Sequence, residues 1–105
     1  MNAQFKKGVL ELCVLTKISR KDYYGYELVE EISKVLEISE GTLYPILRRL
    51  TDEKYFDTYL QESSEGPPRK YYRITKLGKE SQKELLAQWF EFNGQIEKLI
   101  SKDTL

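Results

Sequence analysis

Histidine is absent from this 105-residue chain, and cysteine, methionine and tryptophan occur once each. Without His, and with Cys13 as the single thiol, structural zinc, zinc hydrolysis, Ser-His or Cys-His nucleophilic catalysis and thiol-based metal sensing lack the residues they need. No constellation of acid, base or nucleophile points to an enzyme, and neither a metal nor a cofactor is expected. Proline and glycine are sparse, at three and six residues, and no low-complexity tract interrupts the chain. An ordered domain is therefore expected. Apolar runs stay far short of the roughly 20 residues that a bilayer-spanning helix needs. Met1-Asn2-Ala3-Gln4-Phe5-Lys6-Lys7 runs on to Glu11 with no signal cleavage site, so the expected location is cytoplasmic, with no membrane partner.

What remains is 40% apolar and 32% charged, enough for one modest core at a length where oligomerisation begins to matter. Acidic and basic residues balance at 17 each, and a net charge of zero argues neither for nor against nucleic acid. The distribution is more informative. From Gly66 to Lys79 there are five basic residues, Arg69, Lys70, Arg73, Lys76 and Lys79, and no acidic one, which is a local electrostatic footprint for nucleic acid.

Periodicity predicts a helix from about Phe5 to Ile18, apolar around so much of its circumference that it needs cover on two sides; a second subunit is the expected second cover. Cys13, inside that run, reads as a small buried hydrophobe. A second helix is expected from Tyr24 to Leu36, with Tyr24, Leu28, Ile32 and Val35 on one face and Gly25 allowing another backbone close. Ser39 is the expected N-cap of a third helix that buries Leu43, Ile46, Leu47 and Leu50 and turns Thr42, Tyr44, Arg48 and Arg49 outward. Pro45 predicts an irregular first turn. Strands are expected at Tyr55–Gln61 and Arg69–Thr75, with Glu62–Pro68 as a long turn. Thr75 then caps a last helix to about Ile100, along which Leu85, Trp89, Phe92, Ile96 and Leu99 form a short coiled-coil seam. The fold class is mostly α with a β-hairpin. Three helices, a hairpin and a long helix make a winged helix-turn-helix domain over residues 1–75 and a C-terminal dimerisation helix over 76–105.

Three blocks, Tyr24-Gly25-Tyr26-Glu27-Leu28, Gly41-Thr42-Leu43-Tyr44-Pro45-Ile46-Leu47-Arg48-Arg49-Leu50 and Gly66-Pro67-Pro68-Arg69-Lys70-Tyr71-Tyr72-Arg73-Ile74-Thr75-Lys76-Leu77-Gly78, resemble the PadR family of transcriptional regulators in order and spacing. The resemblance covers nearly the whole chain and is to the short branch, with one C-terminal helix. It implies a repressor that binds a two-fold operator in double-stranded DNA as a homodimer, its last helix packed on the partner's first. Two departures bear on the angle of the wing. Lys54 stands where the family usually has Gly, and the strand into the wing is aromatic, with Tyr55, Phe56 and Tyr59.

On these grounds Thr42, Tyr44, Arg48, Arg49, Arg69, Lys70 and Arg73 are the expected DNA contacts. Alternation along the strand puts Arg69, Tyr71 and Arg73 on one face and Lys70, Tyr72 and Ile74 on the other. By itself Arg48 or Arg49 also reads as a solvated helix residue pairing with Asp52 or Glu53. Phe5, Val9, Leu85, Trp89, Phe92, Asn93 and Ile96 are the expected dimer and pocket residues. Trp89 alone reads as core or dimer contact; the resemblance adds a pore between subunits that takes a small, flat aromatic ligand. A winged-helix module that binds protein instead of DNA is the competing function, consistent with zero net charge and with Asp52, Glu53 and Asp57 beside the basic face.

Overall fold

The computed structural model describes the backbone of residues 3–104 and the side chains of residues 8–103. Four helices and three strands follow in the order α1 (Ala3–Arg20), β1 (Tyr23–Tyr24), α2 (Gly25–Ser33), α3 (Glu40–Asp52), β2 (Phe56–Ser63), β3 (Gly66–Ile74) and α4 (Lys76–Thr104). The core is apolar throughout. Leu10, Val14, Leu15 and Ile18 of α1 meet Leu28, Val29 and Ile32 of α2, Leu43, Ile46, Leu47 and Leu50 of α3, and Tyr23, Phe56 and Tyr72 of the sheet. Burying each such side chain contributes roughly 1.5–3 kcal/mol relative to leaving it in water.

The expected face of α2 ends early. Lys34 caps the helix, and Val35 and Leu36 both donate to the Ile32 carbonyl as the chain turns away. Val35 therefore leaves the buried stripe and is 84% exposed, which corrects the expectation that it packs inward. Tyr24 is likewise outside the helix, extended at its N-cap and paired in β1. Ser39 is the N-cap of α3, but its hydroxyl lies 3.3 Å from that of Thr42 and makes no capping bond to the backbone. Thr42 and Leu43 share the Ser39 carbonyl at 3.1 and 3.2 Å, so the turn before Pro45 is tight.

α3 stops in a Schellman arrangement: Lys54 N–H donates to Thr51 and Tyr55 N–H to Leu50, with Lys54 at φ 70°. Thr75 locks the next junction. Its hydroxyl donates to the Lys54 carbonyl at 2.7 Å and accepts from Gly78 N–H at 3.0 Å, capping α4. A Cβ at Gly78 would collide with the Tyr55 carbonyl, so only glycine lets α4 start this close to the chain leaving α3.

The sheet is antiparallel in the order β1-β3-β2. Its hairpin is longer than expected and its turn shorter, since Ser63 pairs with Gly66 and leaves only Ser64 and Glu65 between. Pro67 and Pro68 thus lie inside β3. They are accommodated because the ladder slips between Gln61 and Ser63, and proline, which has no N–H to give, is tolerated at such a bulge. α1 finds its second cover partly within the chain: Leu85 of α4 packs on the core, and Gln82 donates to the Thr16 hydroxyl at 3.1 Å.

Candidate nucleic-acid interface

Burying Leu43, Ile46, Leu47 and Leu50 decides where the rest of α3 points. Gly41, Pro45 and Arg48, spaced by four and three, form its exposed outer face, with Thr42 exposed beside them. Gly41 and Pro45 escaped the sequence reading because neither carries a polar group, yet together they leave a low surface over which another molecule can come close. Tyr44 leaves on one flank. Its ring lies on Gly25, where a Cβ would stand 2.6 Å from Cε1, so what approaches the start of α2 is a side chain and not a backbone. Burial there holds the Tyr44 phenol above its ordinary pKa.

Arg49 leaves on the other flank and corrects an expectation. It pairs with Glu11 of α1 and, at 3.1 Å, with Glu53 one turn on. Only a third of its side chain is exposed. It ties α3 to α1 and is not turned outward with Arg48.

The wing divides its cations between two faces. Lys70 shares the core-side face with Tyr72, its ammonium 5.7 Å from the ring centroid. There Tyr44, Arg48, Thr51 and Asp52 of α3 meet Lys70 and Tyr72 around a polar cleft of about 300 Å³. Burial also raises the Tyr72 phenol's pKa, so four hydrogen-bond donor groups of three kinds face one space: a guanidinium, an ammonium and two protonated phenols. Arg69 and Arg73 lie on the opposite face, each 4.6 Å from a ring centroid, Arg69 over Tyr24 and Arg73 over Tyr59. Arg69 still reaches a smaller hollow, about 190 Å³, where Tyr24, Gly25 and Tyr26 at the start of α2 meet Lys70. Arg73 is turned the other way, with Nε 3.6 Å from Asp22.

Away from this surface, Trp89 stands between two apolar grooves. One, of about 400 Å³, runs between α1, the end of α2 and α4 and includes Val9, Cys13, Val35 and Phe90; the other, about 340 Å³, is bounded by Val9, Leu12, Leu85, Trp89 and Phe92. Cys13 is half-buried, and burial raises its thiol pKa. Asn93 turns along its own helix to Glu97, at 3.5 Å, and Ile96 is half-buried a turn further on. The Phe5 side chain lies outside the described residues. Among the described residues no group of three or more His, Cys, Asp or Glu could hold a metal ion, and no helix is long and apolar enough to cross a membrane.

Comparison with known proteins gives this surface a context. The model of the transcriptional regulator PadR-like family matches residues 14–84. A PadR-like transcriptional regulator from Bacillus cereus is 41% identical and superimposes with a TM-score of 0.84, covering 93% of this chain and 97% of that one. A Streptococcus transcriptional regulator is 35% identical with a TM-score of 0.84, covering 93% of this chain and 98% of its own. An uncharacterised protein of Lysinibacillus sphaericus is 42% identical over 89 residues, 81% of this chain and 82% of that protein.

Proposed function

The chain belongs to the PadR-like family of transcriptional regulators, which are not enzymes, and on that premise we propose that it is a repressor that binds a two-fold operator as a homodimer. α3 lies in the major groove, and the wing and the start of α2 hold the flanking phosphates. The observation that carries this reading is the convergence of Tyr44 and Arg48 from α3 with Lys70 from the wing on one cleft. Lys70 and the neutral phenols of Tyr44 and Tyr72 suit a phosphate oxygen, while Arg48, exposed on α3, and Thr42 face base edges. The N-terminus of α2, flanked by Arg69 and Lys70, offers free N–H groups to a second phosphate.

Fluorescence anisotropy tests this with two labelled duplexes, one selected by the protein from a random pool and one unselected. Lys70→Ala is expected to weaken both in proportion and to lower the salt slope by about one. Arg48→Ala is expected to cost about 1–3 kcal/mol on the selected duplex alone. Arg49→Ala should leave the salt slope unchanged. Binding to neither duplex would leave the protein-binding winged-helix module as the reading.

The homodimer forms through α4, and a small flat aromatic effector sits beside Trp89, favoured by two adjoining apolar grooves of ligand-accommodating size. Saturable quenching of Trp89 fluorescence by planar phenolic compounds checks it, and an unquenched spectrum sinks it.

A further inference from the structure

The outward face of the sheet carries an arrangement of which the contacts to DNA use only the Arg69 end. Tyr24, Tyr71 and Tyr59, one from each strand, are cross-strand partners and stand abreast. Tyr71 lies 5.6 Å from Tyr24, tilted, and 5.5 Å from Tyr59, stacked. Arg69 covers one end of the row and Arg73 the other, each on a diagonal position of β3. At the Tyr59 end the row is anchored. The Tyr59 hydroxyl donates to Asp22 Oδ2 at 2.6 Å, and Arg73 Nε faces the same oxygen at 3.6 Å.

Asp22 belongs to the connection between α1 and β1, so this bond crosses β3 to join β2 to the body of the domain. The hairpin's other fastenings lie at its base: β1 has only two residues, Phe56 and Tyr72 reach the core with Ile74 packed against it, and Thr75 secures the last strand end. From Tyr71 to Gly66 the hairpin extends about 17 Å. A tilt of about 10° at its base therefore moves the tip by roughly 3 Å and the Arg69 and Lys70 heads by roughly 1–2 Å, more than a hydrogen bond tolerates.

We propose that Asp22 and the Tyr59 hydroxyl form a latch that sets the angle of the wing, which makes both of them positioning residues for DNA binding although neither faces the DNA. The proposal rests on the DNA reading above. It also assigns Arg73 to the latch, where Asp22 and the Tyr59 ring hold it, and removes it from the phosphate contacts.

The test is Tyr59→Phe in the full chain, which deletes one oxygen and keeps the ring stack and the Asp22–Arg73 pair. Affinity for a labelled duplex of about 30 base pairs, selected by the wild type from a random pool, is expected to fall five- to tenfold with a shallower salt dependence. In an Arg69→Ala/Lys70→Ala background, where the positioned groups are gone, the same change should cost less than twofold. Asp22→Asn, which retains an acceptor oxygen, should fall between wild type and Tyr59→Phe, and it stands in for Tyr59→Phe if thermal melting finds that variant unfolded. Unchanged affinity, or an equal loss in both backgrounds, overturns the latch alone. A wild-type chain that binds neither selected nor unselected duplex overturns the DNA reading and the latch with it.

Discussion

Single side chains hold the junctions of this fold, and they differ in how well they suit the task. Lys54 sits at φ 70°, where a side chain costs about 1–2 kcal/mol that glycine avoids. Its N–H and that of Tyr55 nevertheless close the end of α3. Lys54→Gly should therefore stabilise the fold by about 0.5–1 kcal/mol, after allowing for the greater freedom of glycine in the unfolded chain, and raise Tm by roughly 2–6 °C in a calorimetric scan. This strain was readable from the resemblance, since Lys54 occupies a position where glycine is usual. The fate of Arg49 was readable only in part: pairing with Glu53 was one of the two readings of the sequence, pairing with Glu11 was not. Arg48 and Arg49 are adjacent, but one step along a helix turns a side chain by about 100°. The carboxylate that captures Arg49 comes from Glu11, on a helix that the local pattern cannot place against α3.

Among the elements, the helices were legible because each buries a stripe with its own period, and their errors fall at the ends. Val35 continues the spacing of Leu28 and Ile32 but follows the turn that ends α2. β1 left no signal, because two residues have no period and their pairing with Tyr71 and Tyr72 spans much of the chain. Alternation along β3 did foretell that Arg69 and Lys70 point to opposite faces. The sheet also sets how stability responds to alkali. The hydrogen bond to Asp22 raises the pKa of Tyr59, and burial raises those of Tyr72 and Tyr44. A phenol whose pKa rises on folding contributes stability in full below its unfolded value, near 10, and loses it as pH climbs through the folded value. Melting temperature is thus expected to decline above roughly pH 10, and Tyr59→Phe should decline less steeply than wild type. A steeper fall in the variant would contradict the assignment.

For the whole molecule, α4 is the dominant dimension. Its 29 residues give the chain a long axis of 57 Å against 28 and 21 Å across. Leu85 reaches the core, but further along the same helix Phe90, Phe92 and Leu99 are 63, 53 and 61% exposed. That much apolar surface on one helix is what a second subunit would cover. Sedimentation at micromolar concentration should give the dimer mass, and Phe92→Asp, by placing a charge against apolar groups, should shift it toward monomer. The hairpin at the other end of the molecule raises an opposite problem. Among the described residues no strand covers the outer edge of β3 beyond Tyr71, and an open edge on a projecting hairpin is a template for adding strands from other copies. Pro67 and Pro68 fall within that stretch, carry no N–H for an incoming strand and sit where the ladder slips, so the residues that shape the bulge also make the hairpin a poor seed for fibrous aggregation.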